Sequence, residues 1–296
     1  MEKPPQKRAS RFVRPKAPKR MVLTKRDKEV IRTVNDFRTL TQDQISRLLF
    51  PSTQTTQRRL KRLWQHGFLR RDVLPVASTS AMTMQMVYAV DKIGATLLES
   101  EYGYTQEQLR LSSKTHFDQR FLAHTLGLAN VRIAVQSACK TLGFQLRRWS
   151  DEKMLKADYD RVPVKNKLIA VLPDAYFVVR QPNGDDLLFF VEYDTGSERL
   201  KFLAQKLRAY WVYFQSTKCE TRYGTSRIRV LTIVEGSNSP TQKRVNNLVK
   251  LTKPLETVSW FWFATANILS GNIFTDSVWL RPDRETPIPL VSPAKR

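Results

Sequence analysis

The sequence predicts an α/β protein (α+β overall) in two parts. An N-terminal winged helix-turn-helix is followed by a mixed sheet flanked by helices. Three observations carry this. Three short helical patterns, the last of them basic, precede two strand-like runs. The apolar runs Ala175–Val179 and Leu187–Val191, separated by Pro182-Asn183-Gly184, read as a β-hairpin. From Leu200 to Phe214, apolar residues recur at helical spacing.

A chain of 296 residues has length for two domains, and 41% apolar content with ten glycines marks it as globular. Lysine and arginine number 50 against 27 acidic residues, a formal charge of +23. That excess predicts a polyanionic partner, with double-stranded DNA first among them. No membrane role is expected, because the aromatic run Val258–Leu269 is too short to span a bilayer. The only cysteines, Cys139 and Cys219, lack metal-ligand spacing and fit a reducing cytoplasm. Residues 1–22 read as a disordered basic arm able to track phosphates; it lacks the apolar core of a signal peptide.

The winged-helix domain is expected over residues 23–100. Thr24 with Asp27 approximates a capping box, and the helix after it buries Val30, Ile31 and Val34. Thr41 caps a second helix with Gln44 at its third position, and Pro51-Ser52 breaks it. The third helix runs from Thr53 to His66 with Leu60, Leu63 and Trp64 on its apolar face, and Gly67 stops it. Candidate DNA contacts are Thr53, Gln54, Thr55, Gln57, Arg58, Arg59, Lys61 and Arg62 on this helix. Arg70 and Arg71 add to them from the first wing strand. Met84–Val90 forms the second strand, and Asp91 caps a closing helix to about Glu99.

A linker is expected over 101–115, then an α/β domain over 116–265 and a loose C-terminal tail over 266–296. A long, largely apolar helix spans His116–Lys140, followed by a strand at Phe144–Trp149. Residues from about 153 to Leu172 are basic and weakly patterned. Beyond the hairpin and its helix come a strand at Arg227–Glu235, a helix at Pro240–Leu251 and an aromatic strand at Val258–Ala264.

The hairpin carries the candidate chemistry. Asp174 opens one strand, and Glu192 and Asp194 end the other, so all three carboxylates reach one edge of the sheet. Strand alternation puts Glu192 and Asp194 on one face, while hairpin register decides whether Asp174 joins them. Clustered carboxylates there suit Mg²⁺ or Mn²⁺, with Asp174, Glu192 and Asp194 as the candidate ligands. Glu152 is a weaker acidic candidate, and His124, Tyr210 and Trp211 read as packing residues.

At these positions the C-terminal half resembles the PD-(D/E)XK nuclease fold: Pro173-Asp174, a turn-containing spacer, then Glu192-Tyr193-Asp194 and a helix. The resemblance implies that Asp174 and Glu192 hold Mg²⁺. It also implies a lysine two residues after the glutamate, where this chain has Asp194; Lys206 is the candidate substitute and Lys201 a weaker one. Over about 25–265 the chain also resembles the replication-relaxation family of plasmid and mobile-element proteins. That likeness rests on Gly67-Phe68-Leu69-Arg70, His124, Pro173-Asp174, Val191–Ser197 and Lys206–Tyr210. It implies a cytoplasmic bacterial DNA-associated protein acting in replication or mobilisation beside the proteins of those processes. Two functions stay open: a metal-dependent nickase with Asp174, Glu192, Asp194 and Lys206 as its catalytic set, or a catalytically inactive replication accessory or transcriptional regulator. His66, His116 and His124 form no His-x-His pair, which excludes the usual relaxase mechanism.

Overall fold

The computed structural model describes residues 13–74, 85–109, 119–255 and 258–291. The chain divides into two compact units, residues 1–129 and 130–296. The first twelve residues of the expected arm, residues 75–84 of the expected wing and the start of the long helix at 116–118 lie outside the described residues.

The first unit begins with α1 (Lys25–Phe37), the short β1 (Leu40–Thr41), α2 (Gln42–Leu49) and α3 (Thr53–Gln65). Then follow β2 (Leu69–Leu74), β3 (Gln85–Val90) and α4 (Lys92–Tyr102). Both expected capping boxes are present, Thr24 with Asp27 and Thr41 with Gln44, each satisfying backbone groups that the first turn leaves orphaned. The strands form an antiparallel sheet in the order β1-β3-β2. Val30, Ile31 and Val34 of α1 are fully buried, as are Leu60 and Leu63 of α3 and Leu69 and Val87 of the sheet. Where α4 crosses the start of β2 the backbones nearly touch. A Cβ on Gly94 would lie 2.2 Å from the Phe68 carbonyl oxygen, so only glycine fits there.

Two expected boundaries move. Part of the arm is held against this unit rather than disordered. Arg14 donates to the Leu69 carbonyl and pairs with Asp91, Arg62 donates to the Arg20 carbonyl, and His66 Nε2 lies 3.0 Å from the Lys19 carbonyl oxygen. The start of the expected linker is also packed. Leu109 is buried, and Asn35 donates to the Gln108 carbonyl.

In sequence, α5 (Gln119–Leu142) runs through the boundary between the units. The second unit continues with β4 (Gln145–Asp151), α6 (Glu152–Lys156), β5 (Arg161–Val164) and β6 (Lys167–Ala170). The hairpin strands β7 (Ala175–Arg180) and β8 (Asp186–Asp194) lead to α7 (Leu200–Phe214) and α8 (Thr217–Tyr223). Finally come β9 (Ile228–Val234), α9 (Ser239–Thr252) and β10 (Phe261–Thr265). The weakly patterned stretch before Leu172 thus contains a short helix and the separate β5–β6 hairpin, neither of which the sequence predicts.

The main sheet has five strands in the order β10-β9-β8-β7-β4. The β10–β9 and β9–β8 pairs are parallel; β8–β7 and β7–β4 are antiparallel. Central strands covered on both faces must be apolar on both, which explains the unbroken run Leu187–Val191. On one face α7 brings Leu203, Leu207, Tyr210 and Phe214 into a buried cluster with Tyr176, Phe190 and Val230. On the other, Trp149 stacks on Phe177 at 5.4 Å and Phe177 on Phe189 at 4.6 Å, with Phe274 6.0 Å from Phe189.

Phe274 belongs to the segment expected to be a loose tail, and that expectation is overturned through residue 291. Leu280 bridges to Phe263, and Ile288 bridges to Trp279. Trp279 is fully buried and its indole N–H donates to the Ile273 carbonyl at 2.9 Å. Aromatic residues spaced irregularly among prolines give no periodic signal, so the sequence pattern missed a segment that completes the core. Replacing Trp279 with alanine should cost about 3–5 kcal/mol of stability. A denaturant midpoint equal to that of the parent protein would restore the loose-tail reading.

Candidate active site and nucleic-acid interface

The structure resolves the register question at the hairpin. Ala175 pairs with Val191 across the antiparallel ladder, which sets Asp174 opposite Glu192. The Asp174 N–H donates to the Val191 carbonyl at 3.0 Å, and Asp174 Oδ2 accepts the Tyr193 N–H at 2.8 Å. Side chains opposite each other across a ladder share a face, so the two carboxylates project to the side covered by α7.

Lys206 reaches them from the second turn of α7. Its Nζ lies 2.6 Å from Glu192 Oε2 and 3.7 Å from Asp174 Oδ1. One turn further along the helix, the Tyr210 hydroxyl donates to Glu192 Oε1. On the parallel neighbour strand, Thr232 pairs in register with Glu192; its hydroxyl is buried and finds no hydrogen-bond partner among the described residues. The expected pairing of Asp174, Glu192 and Lys206 is therefore present. Tyr210, which the sequence assigns to packing, packs and also binds the glutamate. Its i+4 spacing from Lys206 is the signal that joins the two on one helix face.

Asp194 is not brought into this cluster, a correction to the expected three-carboxylate set. It lies on the same face of β8 as Glu192, but Arg244 of α9 grips it, with Nε 2.5 Å from Oδ2 and Nη2 3.0 Å from Oδ1. Asp194 Oδ1 also accepts the Gly196 N–H at 2.8 Å, while Arg244 donates to the Glu198 carbonyl at 2.6 Å. The pair therefore fixes the loop that feeds α7, which positions Lys206. Nothing in the sequence pattern marks Arg244 as the partner. Glu152 is tied to Lys156 in a helical i,i+4 pair. Among the described residues no three His, Cys, Asp or Glu side chains cluster as a metal site. Asp174 and Glu192 still provide the donor set that Mg²⁺ takes in proteins, one or two carboxylates completed by water and phosphate oxygens.

Burial pushes the Glu192 carboxyl up to about 8, with Asp174 adding to the rise while Lys206 and Tyr210 oppose it. Burial alone would lower the Lys206 pKa, but Glu192 and Asp174 outweigh it and hold the ammonium firmly charged. A carboxyl whose folded pKa is raised binds its proton more tightly when folded. Its contribution to stability is whole below about pH 4.5 and is lost as pH rises toward 8, at about 1.4 kcal/mol per unit at most. Without divalent metal, the melting temperature should therefore fall between pH 5 and pH 8 more steeply in the parent protein than in Glu192→Gln. Parallel curves would contradict the burial of this carboxyl.

In the first unit, α3 divides its cations between structure and surface. Thr53, Gln54, Gln57, Arg58 and Lys61 are exposed, and Thr55 is half-buried beside them. Arg59, one of the expected DNA contacts, is turned inward. Its Nε lies 2.8 Å from Asp27 Oδ1, and its Nη2 pairs with Oδ2. Asp27 is buried; desolvation would raise its pKa, but Arg59 and Thr24 hold it below the usual value. Arg71 stacks 3.7 Å from the Trp64 ring centre, and Arg70 and Arg62 are half-buried. The exposed face of α3 is therefore narrower than its sequence suggests, with two glutamines and two cations at its centre.

No helix among the described residues is long and apolar enough to cross a membrane. No curated protein matches the sequence. Among solved structures, the restriction endonuclease FokI bound to DNA aligns at 11% identity with a TM-score of 0.26, covering 82% of this chain and 43% of that one. The chain thus spans less than half of that protein's length, and such a score defines no shared fold. The replication-relaxation family matches residues 31–228, which take in α3 and both members of the Asp174–Glu192 pair together with Lys206. With well over half of its length matched, the chain belongs to the replication-relaxation family.

Proposed function

We propose that this protein binds the DNA of a plasmid or mobile element and nicks it during replication or relaxation, in a metal-dependent reaction. The observation that carries the reading is the bridge of Lys206 between Glu192 and Asp174 on adjacent strands. The second unit is read as a PD-(D/E)XK nuclease-like domain in which the cation comes from a helix rather than from two residues after the glutamate. Asp174 and Glu192 would hold Mg²⁺ or Mn²⁺. A divalent ion so held lowers the pKa of a bound water and stabilises the leaving oxygen of a phosphodiester. Lys206, always charged, offsets the negative charge that develops at phosphorus. Tyr210 holds the Glu192 carboxylate in place, and the Asp194–Arg244 pair fixes the start of α7.

The first unit is read as a winged helix whose α3 meets the DNA. Its element order, helices α1 to α3 and then the β2–β3 ribbon, supports this. Gln54 and Gln57 offer the amide chemistry that reads adenine, and Arg58 and Lys61 suit guanine or phosphate. Replication or mobilisation proteins on the same DNA, in the bacterial cytoplasm, would be its partners.

With supercoiled plasmid and Mg²⁺ or Mn²⁺, the parent protein should produce open circles, and Asp174→Ala and Glu192→Ala should produce none. Both variants should retain DNA affinity within about twofold, because α3 is untouched. Replacing Arg58 and Lys61 together with alanine should weaken DNA binding and flatten its salt dependence by about two phosphate contacts. Nicking that survives both carboxylate changes would overturn the site.

A second reading, a DNA-binding accessory or regulator with an inactive domain, draws on the Asp194–Arg244 pair. The position that holds the catalytic lysine in PD-(D/E)XK nucleases is here spent on fold structure. Equal gel shifts from the parent protein and both carboxylate variants, with no open circles from any, would establish that reading.

A further inference from the structure

A cleft of about 660 Å³ opens on the outer flank of α7. The β5–β6 turn forms one wall, α7 another, and the C-terminal end of α9 with the residues after it the third. Its lining divides by chemistry. Val164, Ala204, Leu251 and Leu255 supply apolar surface. Lys165, Lys167, Lys201 and Arg208 supply four cations, and no carboxylate lines the cleft. All four cations are exposed and none makes an ion pair among the described residues. Lys206, Arg222 and Arg244 of this unit are by contrast each engaged by carboxylates. A second hollow between α5 and β4 also gathers cations, Arg132, Lys140, Arg147 and Arg148, but the cleft beside α7 joins its four to an exposed leucine and a strained turn.

The β5–β6 turn adds a second observation. Val164 pairs with Lys167, leaving Lys165 and Asn166 as a two-residue turn. Lys165 sits there at φ 55°, a conformation that glycine or asparagine adopts with less strain. Nothing in the turn's backbone explains a lysine in that place, whereas its charge at the rim of the cleft does. On the opposite wall Lys201, Gln205 and Arg208 follow helical i, i+4 and i+7 spacing, so one stripe of α7 faces the cleft.

We propose that this cleft binds a nucleotide, with its base against the apolar wall and its phosphates among the four cations. The volume suits a ligand of that size. A bare inorganic anion would use the cations and leave the exposed Leu251 uncovered; an apolar ligand would leave four charges unanswered. Gln205, between Lys201 and Arg208, offers an amide to the edge of a base. The nucleotide's source is either a free nucleoside triphosphate or a nucleotide within a single DNA strand, since both present a base beside phosphate. The site lies on a different flank of α7 from Lys206 and stands whether or not Glu192 takes part in cleavage.

The test uses the full chain with three probes: a fluorescent ribose-labelled ATP, a fluorescein-labelled hexathymidylate, and inorganic tripolyphosphate as competitor. At least one labelled probe should bind, and Lys201→Glu with Arg208→Glu should weaken it tenfold or more. Lys165→Gly should also weaken it while leaving the melting temperature unchanged or higher, because glycine relieves the turn. Leu251→Ser should weaken the labelled probe and leave tripolyphosphate binding as it was. Binding of ATP alone identifies a free nucleotide as the source, and binding of the oligonucleotide alone identifies a strand. Affinities unmoved by all of these changes would overturn the site. Tripolyphosphate binding as tightly as either nucleotide probe, with Leu251→Ser without effect, would overturn the nucleotide and leave only an anion site.

Discussion

The second unit is organised by an electrostatic conflict that its hairpin register creates. Pairing Ala175 with Val191 sets Asp174 and Glu192 side by side on a face that α7 covers. Like charges side by side repel, and more strongly where water is excluded. Within the β-ladder, the Tyr193 N–H donated to Asp174 relieves only part of this. Relief comes from Lys206, which approaches both carboxylates, and from the proton that Glu192 tends to keep. Shifting the hairpin by one residue would turn Glu192 to the opposite face, the side of Phe177, Phe189 and Phe274, and away from Lys206. The apolar pattern of the strands and the charge pairing thus demand the same register.

A lysine that must meet two carboxylates from a helix requires that helix to be held closely. The chain does this with the residue that looks most out of place. Asp194 stands where the nuclease resemblance implies a lysine, and its carboxylate instead binds Arg244 and the Gly196 N–H. Arg244 reaches on to the Glu198 carbonyl, tying α9 to the loop ahead of α7. Charge at this edge of the sheet is thereby sorted into two groups. Asp174 and Glu192 share Lys206, while Asp194 has a guanidinium to itself. Converting Asp194 to lysine would therefore not restore a nuclease motif. It would place two cations against each other and release the loop that positions the first.

Much of this was legible in the sequence, and the limits have physical causes. The capping boxes at Thr24 and Thr41 were legible because a cap and its third residue are local chemistry. The β7–β8 hairpin and α7 were legible because their apolar periods are strong. Lys206 was named as the substitute for the lysine that the nuclease resemblance implies, with Lys201 as the weaker choice. What escaped detection depends on partners distant in sequence. Arg59 is indistinguishable from Arg58 until Asp27, 32 residues earlier, is seen to be buried beneath it. Arg244 is 50 residues from Asp194. The segment around Trp279 packs as a cap on the sheet with no repeating period, and the β5–β6 hairpin interrupts a basic run that carries little apolar pattern.

The two flanks of α7 show how one helix serves unlike demands. A residue advances 100° around an α-helix, so Gln205 and Lys206, though adjacent, point in clearly different directions. Lys206 and Tyr210 lie a turn apart and meet the buried Glu192, where one ammonium answers two carboxylates. Lys201, Gln205 and Arg208 follow a separate stripe into a cleft where no carboxylate answers them. Sequence composition counts all these cations alike toward +23, yet their physical states differ. Matched buried cations fix the fold and gain little from salt or ligand. Unmatched exposed ones repel one another and lower their energy by binding phosphate. The charge excess of this chain is therefore informative about partners only after the paired cations are set aside; among the described residues, α3 and the outer flank of α7 are two of the places where unpaired cations remain.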